Sequence, residues 1–254
     1  MPKLKILGTS NAVPTEKHEN THMAITGKKR LVLVDSVGTP TVRLKQAGLD
    51  PLQITDLILT HFHPDHVCGV PSLLMNTWLM GRHAPLNIYG LPHCLDRIEQ
   101  LMESYEYRAW PDFFPVTYYR LPEEEKTLVL EDEDLRILAS PVRHLIPTIG
   151  LRVEALPDGR VLAYSCDTEP TPAMVRLAQG ADVLIHEATG LGRGHSSAGQ
   201  AGEIATQAGV GCLYLIHYPT LDDGYRSLVD QARKTFSGPV SLAEDFMEIE
   251  LPAR

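Results

Sequence analysis

Apolar and polar positions along the chain change period, and the change divides it into strands and helices. Lys3-Leu4-Lys5-Ile6-Leu7 alternates with the period of two that a half-buried strand shows, and Gly8-Thr9-Ser10 ends it. A polar loop follows to Asn20. His22–Thr26 and Leu31–Val34 read as a hairpin around Gly27-Lys28-Lys29-Arg30, closed by Asp35. Thr41–Ala47 has helical spacing and stops at Gly48. Ile54–Leu59 is a short apolar run of buried-strand character. Helices are predicted from about Pro71 to Met80 and over 92–107, with a strand at Leu86–Tyr89 between them.

Strand-like runs continue at 113–121, 127–131 and 135–140. Gly150–Glu154 and Val161–Ser165 flank Pro157-Asp158-Gly159, a hairpin turn signal. Thr171-Pro172 opens a helix, with a hydroxyl cap followed by proline in the first turn. Val183–Ile185 is a buried strand. Ser197 and Gln200 have the spacing of a capping box, and that helix stops before Gly209. Cys212–Ile216 is a strand, 224–236 a helix, and two short strands finish the chain. Strands that meander first and alternate with helices later predict two packed sheets in a layered sandwich. No linker, repeat or low-complexity segment interrupts the 254 residues, which are read as one domain.

Composition adds little to this picture but excludes some classes. No apolar run reaches the roughly 18 residues of a membrane span. The N-terminus has no signal-peptide pattern, so a cytoplasmic protein is expected. Cys68, Cys94, Cys166 and Cys212 form no C-x-x-C pair, and a disulfide framework is not expected. The net charge of −9 argues against broad nonspecific nucleic-acid binding, which uses basic surface. It leaves room for a local phosphate site built on divalent cations.

The chemistry is concentrated in Thr60-His61-Phe62-His63-Pro64-Asp65-His66, directly after the apolar run. His61 and His63 lie two apart and point the same way on extended backbone. Asp65 and His66, after Pro64, begin a new direction and can serve a second ion. Imidazole with carboxylate suits zinc and neighbouring first-row metals. Further candidates follow other strands: His144, Asp167, the His186-Glu187 pair and His217. Sites in layered α/β folds gather at such strand ends. His18, His22, His83 and His93 are read as loop, surface or packing residues. Trp78, Trp110 and the Tyr-rich segment 105–119 are either packing or the lining of a substrate groove. Cys166 reads as a small buried thiol, with metal ligation the alternative.

Leu7-Gly8-Thr9-Ser10, the H-x-H-x-D-H motif, Tyr164–Thr168, His186–Thr189, Gly194–Ser197 with Gln200-Ala201, Leu215–His217 and the tail from Ala243 to Pro252 stand in one order. In that order the chain resembles ribonuclease Z-type proteins of the metallo-β-lactamase superfamily over nearly its whole length. The resemblance implies an α+β fold, a four-layer αββα sandwich with metals at one edge. It implies that His61, His63 and His144 hold one divalent cation, that Asp65, His66 and His217 hold another, and that Asp167 bridges them. Asp35 would order the ligand loops. Zinc is the expected metal, with manganese or iron as alternatives.

The same resemblance implies phosphodiester hydrolysis on RNA 3′ ends or small diesters by a hydroxide shared between the metals. Asp65 would orient the nucleophile and His195 with Glu187 would relay a proton to the leaving group. A homodimer is expected. A metallo-hydrolase for carbon esters, lactones or sulfate esters is the alternative, and a noncatalytic metal-binding module a remote one. His186 is expected to be structural. Two departures bear on substrate. Ribonuclease Z carries a transfer-RNA-gripping arm between the segments matching His144 and Asp167, where only 22 residues stand here. The segment after Asp35 reads Ser36-Val37-Gly38-Thr39-Pro40, so only part of the Gly/Glu/Thr/Gln-rich family pattern survives. Glycine also usually stands at the position of Cys166.

Overall fold

A computed structural model describes residues 2–156 and 158–250. Pro157 of the predicted turn, and the end of the tail including Pro252, lie outside the described residues. The described part folds into two seven-stranded sheets packed face to face, with helices on both outer surfaces.

The first sheet runs in the order β14 (Glu248–Glu250), β1 (Lys3–Gly8), β2 (His22–Thr26), β3 (Leu31–Val34), β4 (Asp56–Ile58), β5 (Leu86–Gly90), β6 (Val116–Arg120). The second runs β13 (Val240–Leu242), β12 (Cys212–Ile216), β11 (Val183–Glu187), β10 (Arg160–Tyr164), β9 (Thr148–Ala155), β8 (Leu135–Val142), β7 (Thr127–Glu131). Each sheet is antiparallel on one side and parallel on the other. β3 to β6 pair in parallel, as do β10 to β13. The parallel strands need crossovers, and the helices supply them.

Strand periodicity sorts the side chains into three apolar layers. Along β10 and β11, Leu162, Tyr164, Val183 and Ile185 face the other sheet, where they meet Ile6, Val34 and Ile58. The alternate residues Val161, Ala163 and Leu184 turn outward onto α5 (Pro172–Ala178) and α6 (Ala198–Ala208). On the opposite surface, Leu33, Leu57 and Ile88 pack against α3 (Val70–Leu79) and α4 (Pro92–Ser104). Each fully buried aliphatic side chain contributes about 1.5–3 kcal/mol before entropy is counted. The layering therefore fixes strand register, because a one-residue slip would exchange the two faces.

Several predicted elements are shorter than their patterns. The helix of 92–107 ends at Ser104 because Glu106 takes a left-handed φ of 53°, and a 3₁₀ turn covers Tyr107–Ala109. The helix of 224–236 is split. The Asp222 carboxylate accepts from Gly224 N at 2.8 Å and starts a 3₁₀ turn, and α7 is confined to Leu228–Ala232. Local side-chain bonding of this kind competes with the helix ladder. The Ser197/Gln200 capping box forms as predicted. Trp78 stacks on Trp110 with centroids 4.9 Å apart, and both pack against the apolar layer under the first sheet. This favours packing over a groove for the pair. The 22 residues between His144 and Asp167 carry β9 and β10.

Candidate metal centre

The parallel strands of both sheets end at the same edge, and the chain turns sharply there. Asp35, Cys166 and His217 follow β3, β10 and β12, with φ values of 60°, 52° and 53°. A residue with a side chain rarely adopts this left-handed backbone, which costs about 1–3 kcal/mol. It explains why glycine suits the Cys166 position. Three such turns at one edge swing the following loops into the seam between the sheets.

Seven residues meet in that seam. His63, after β4, is the N-cap of the short helix α2 (Pro64–Val67), which carries Asp65 and His66. His63 Nδ1 lies 3.0 Å from His61 Nε2 and 3.1 Å from His144 Nε2. Nitrogens sharing one tetrahedral zinc stand roughly 3.3 Å apart, so this trio has the spacing of a ligand set. Asp65, His66 and His217 form a second group. Asp65 Oδ2 is 3.7 Å from His66 Nε2 and 3.9 Å from His217 Nε2. Asp167 lies between the two groups. Its Oδ2 is 3.2 Å from His217 Nε2 and 3.8 Å from His144 Nε2, and its Oδ1 is 3.5 Å from His66 Nε2.

Hydrogen bonds on the far side of the rings decide which nitrogen faces the seam. His66 Nδ1 donates to Asp35 Oδ2 at 2.8 Å, and His144 Nδ1 donates to the Gly194 carbonyl at 2.6 Å. Thr60 Oγ1 gives its proton to Asp35 Oδ2, so at 3.1 Å it accepts from His61 Nδ1. Thr21 Oγ1 gives its proton to the Ser10 carbonyl, so it accepts from His217 Nδ1, also at 3.1 Å. In all four rings the Nε2 lone pair is left pointing inward, the tautomer a metal ligand needs. His66 Nε2 and Asp167 Oδ1 are buried without a hydrogen-bond partner among the described residues. Orphaned acceptors of this kind are costly unless a cation sits between them. The residues fit a metal centre.

The electrostatics agree. Burial holds His61, His63 and His144 below the ordinary histidine value, in the neutral form that coordinates. Burial opposes charge on Asp167, yet His217 and His66 keep it well below the usual carboxylate range. Burial likewise opposes charge on His66, but Asp167 and Asp35 pull it well above its ordinary value. Without a cation this pull places a second proton on His66 Nε2, toward Asp167, which a bound cation would displace. Asp35 also accepts from Thr60 N at 2.8 Å, so one carboxylate organises the start of the histidine loop and one of its rings.

Glu187, at the end of β11, is fully buried and paired on both oxygens. Oε1 accepts from the backbone of Thr168 and Ser196 and from His195 Nδ1 at 3.0 Å; Oε2 accepts from Thr189 N. Burial lowers the affinity of His195 for a proton, but the Glu187 bond and charge outweigh it and raise the pKa above the ordinary value. His195 groups with His144 and Asp167 at the mouth of the seam. His186 faces away, fully buried, with Nδ1 on the Glu187 carbonyl. Cys166 is buried, and its sulfur meets His61 Nδ1 at 3.6 Å, on the back of the ring. Nothing in the sequence marks Thr21, Thr60 or the Gly194 carbonyl as a ring partner. Thr60 stands next to His61, while Thr21 and Gly194 belong to other loops and find their rings only in three dimensions.

The chain is similar to known proteins along nearly its whole length. The chain aligns with ribonuclease Z of Methanothermobacter thermautotrophicus at 27% identity, covering 100% of this chain and 98% of the relative. Human tRNase Z, short form, superposes with a TM-score of 0.79 at 26% identity, covering 98% and 99% of the two chains. The metallo-beta-lactamase fold protein YhfI of Bacillus subtilis superposes with a TM-score of 0.81 at 20% identity, covering 98% of each. The pattern of the Beta-lactamase superfamily domain matches residues 30–218, the stretch from the β2–β3 turn to the residue after His217. With that match and the two-sheet fold, the chain belongs to the metallo-β-lactamase superfamily, with relatives named ribonuclease Z along its full length.

Proposed function

We propose that the protein is a dinuclear metal-dependent phosphodiesterase of the ribonuclease Z kind. The observation that carries this reading is the convergence of four Nε2 lone pairs, His63 Nδ1 and two carboxylates on one seam, with an ion-paired histidine at its mouth. His61, His63 and His144 would hold one divalent cation, Asp65, His66 and His217 a second, and Asp167 would bridge them. Such cations supply an acidified water and positive charge against phosphoryl oxygens.

The protein's own groups do the rest. Among the described residues no hydrogen bond ties both oxygens of Asp65, which leaves it able to orient the attacking water. His195 carries its proton on the exposed side of the ring while Glu187 holds the other nitrogen. The imidazolium can donate to the departing alkoxide and be refilled from solvent, since its side chain is 21% exposed and Glu187 is buried. Glu187, held by three backbone N–H groups, is fixed in place behind the ring.

RNA 3′ ends and small phosphodiesters are both within reach of this chemistry. Support for the smaller class comes from chain length. The alignment with the Methanothermobacter ribonuclease Z runs over 309 positions against 254 residues here, so at least 55 positions of that relative have no counterpart. The test is cleavage by zinc- or manganese-loaded protein of a precursor transfer RNA with a 3′ trailer, alongside a chromogenic diester. Hydrolysis of either that disappears on verified metal removal is expected. Activity that survives complete demetallation, or cleavage of carboxylic but not phosphate esters, would overturn the reading.

A further inference from the structure

A cavity of about 680 Å³ opens beside the turn that carries His195, a volume that accepts a small organic group. Residues 188–191 and 197–199, the two flanks of that turn, form one wall. Pro219, Tyr225 and Leu228, on the segment after His217, form the other. Thr189 joins the cavity to the metal centre. Its N–H donates to Glu187 Oε2 at 3.0 Å, and its hydroxyl donates to the His217 carbonyl at 2.7 Å. The wall is thus one hydrogen bond from the group that holds His195 and one from a residue of the metal seam.

The chemistry of the cavity is mostly apolar with a flat surface. Leu191 stands 83% exposed on its lip. Tyr225 is held as a ring platform by stacking on Tyr218, centroids 5.3 Å apart at 22°. Charge is balanced between Asp222 and Lys234, so nothing draws a polyanion in. Gly199 leaves the floor open: a Cβ there would meet nothing nearer than Ser197 Oγ at 3.9 Å.

We propose that this cavity binds the leaving alcohol of the substrate, an uncharged alcohol with a planar apolar ring of benzyl to naphthylmethyl size. The proposal rests on the phosphodiesterase reading, because it is the proton donor that decides which half of a diester lies on the His195 side. Water adds to phosphorus and gives one proton to solvent, which later restores the proton of His195; the P–O bond to the ring-bearing alcohol breaks, and its electron pair stays on that oxygen. The proton from His195 neutralises it, giving a phosphate monoester and a free alcohol.

Ethyl 2-naphthylmethyl phosphate tests this, since either alcohol could leave. Metal-loaded protein is expected to release naphthylmethanol over ethanol by tenfold or more. Gly199→Leu places a good helix former in the first turn of α6 and fills the floor, so it is expected to fold and to erase that preference. Release of ethanol instead, or an unchanged preference in Gly199→Leu, would overturn the proposal. Ligand-observed saturation-transfer NMR with 2-naphthylmethanol reads the cavity without turnover. Binding to wild type that is lost in Gly199→Leu, with no diester cleaved, would sink the phosphodiesterase reading and keep the cavity as a ring site. Absence of binding, or equal binding in the variant, would overturn the cavity whatever the diester result. A dimer in solution that Gly199→Leu abolishes would assign the surface to a second copy and overturn it too.

Discussion

His195 Nδ1 lies 3.0 Å from Glu187 Oε1, and the same oxygen accepts the backbone N–H groups of Thr168 and Ser196. The imidazole is thereby held by a carboxylate that is itself immobile. The raised pKa of His195 keeps the proton available to higher pH than a free histidine would. Since donation needs the protonated ring, rate is lost as pH rises through that raised value. Glu187→Gln should move the alkaline limb of the pH–rate profile downward and cut kcat by about 10²-fold, with metal content unchanged. A limb that stays in place would remove Glu187 from the relay.

Asp35 serves Thr60 and His66 at once, from a backbone φ of 60°. Asp35→Asn tolerates that backbone but loses the charge and one acceptor. It should weaken metal binding by about 10–100-fold, measured by competition with a chelating dye. Asp35→Ala leaves buried donors unpaired as well and should cost about 3 kcal/mol in denaturant unfolding. Equal effects from the two variants in both measurements would mean that the charge alone matters, and not the hydrogen bonds or the backbone.

Chelation should destabilise the fold as well as stop turnover, because the orphaned acceptors of His66 and Asp167 lose their partner. Ions present at about a thousand times their dissociation constant contribute roughly 4 kcal/mol, or on the order of 10 °C in Tm. Differential scanning fluorimetry with and without zinc measures this. Elemental analysis should return two ions per chain for wild type and fewer for Asp167→Ala.

Cys166→Gly separates a structural thiol from a metal ligand. Glycine relieves the left-handed backbone but loses a fully buried side chain, and the two effects oppose each other. The net stability change should be within about 1 kcal/mol, and the metal stoichiometry should not change. Loss of an ion would make the sulfur a ligand.

His22 is buried, and burial pushes its pKa down to about 4. The unfolded chain therefore takes up a proton at a higher pH than the folded one. Stability is full above the unfolded value near 6.5, falls as pH drops through it, and levels off below about 4. The loss is on the order of 3 kcal/mol across that window. Urea unfolding from pH 7 to 4 should show it. His22→Leu should begin less stable and decline less steeply.

Layering and much of the site were legible in the chain because they are local. The period-two pattern of β1, the capping box of α6 and the density of His61, His63, Asp65 and His66 each lie within a few residues. The pattern of 92–107 overstates its helix because a left-handed Glu106 has no sequence mark of its own. The pattern of 224–236 hides a break because the pull of Asp222 on Gly224 competes with a periodicity that otherwise continues.

By itself, then, the sequence determined the strand and helix pattern, the family resemblance and the residues able to bind metal. Residue types and their spacing carry that information. Only the tertiary structure decided which nitrogen of each histidine faces the seam, since Thr21, Asp35 and Gly194 come from distant loops and, with Thr60 held by Asp35 beside His61, fix the tautomers by hydrogen bonding. It also decided that Thr189 ties the His195 turn to the His217 loop and leaves a cavity between them, because that contact spans 28 residues of chain. Proton positions and cavities are properties of packed surfaces, and packing joins residues that the chain holds apart.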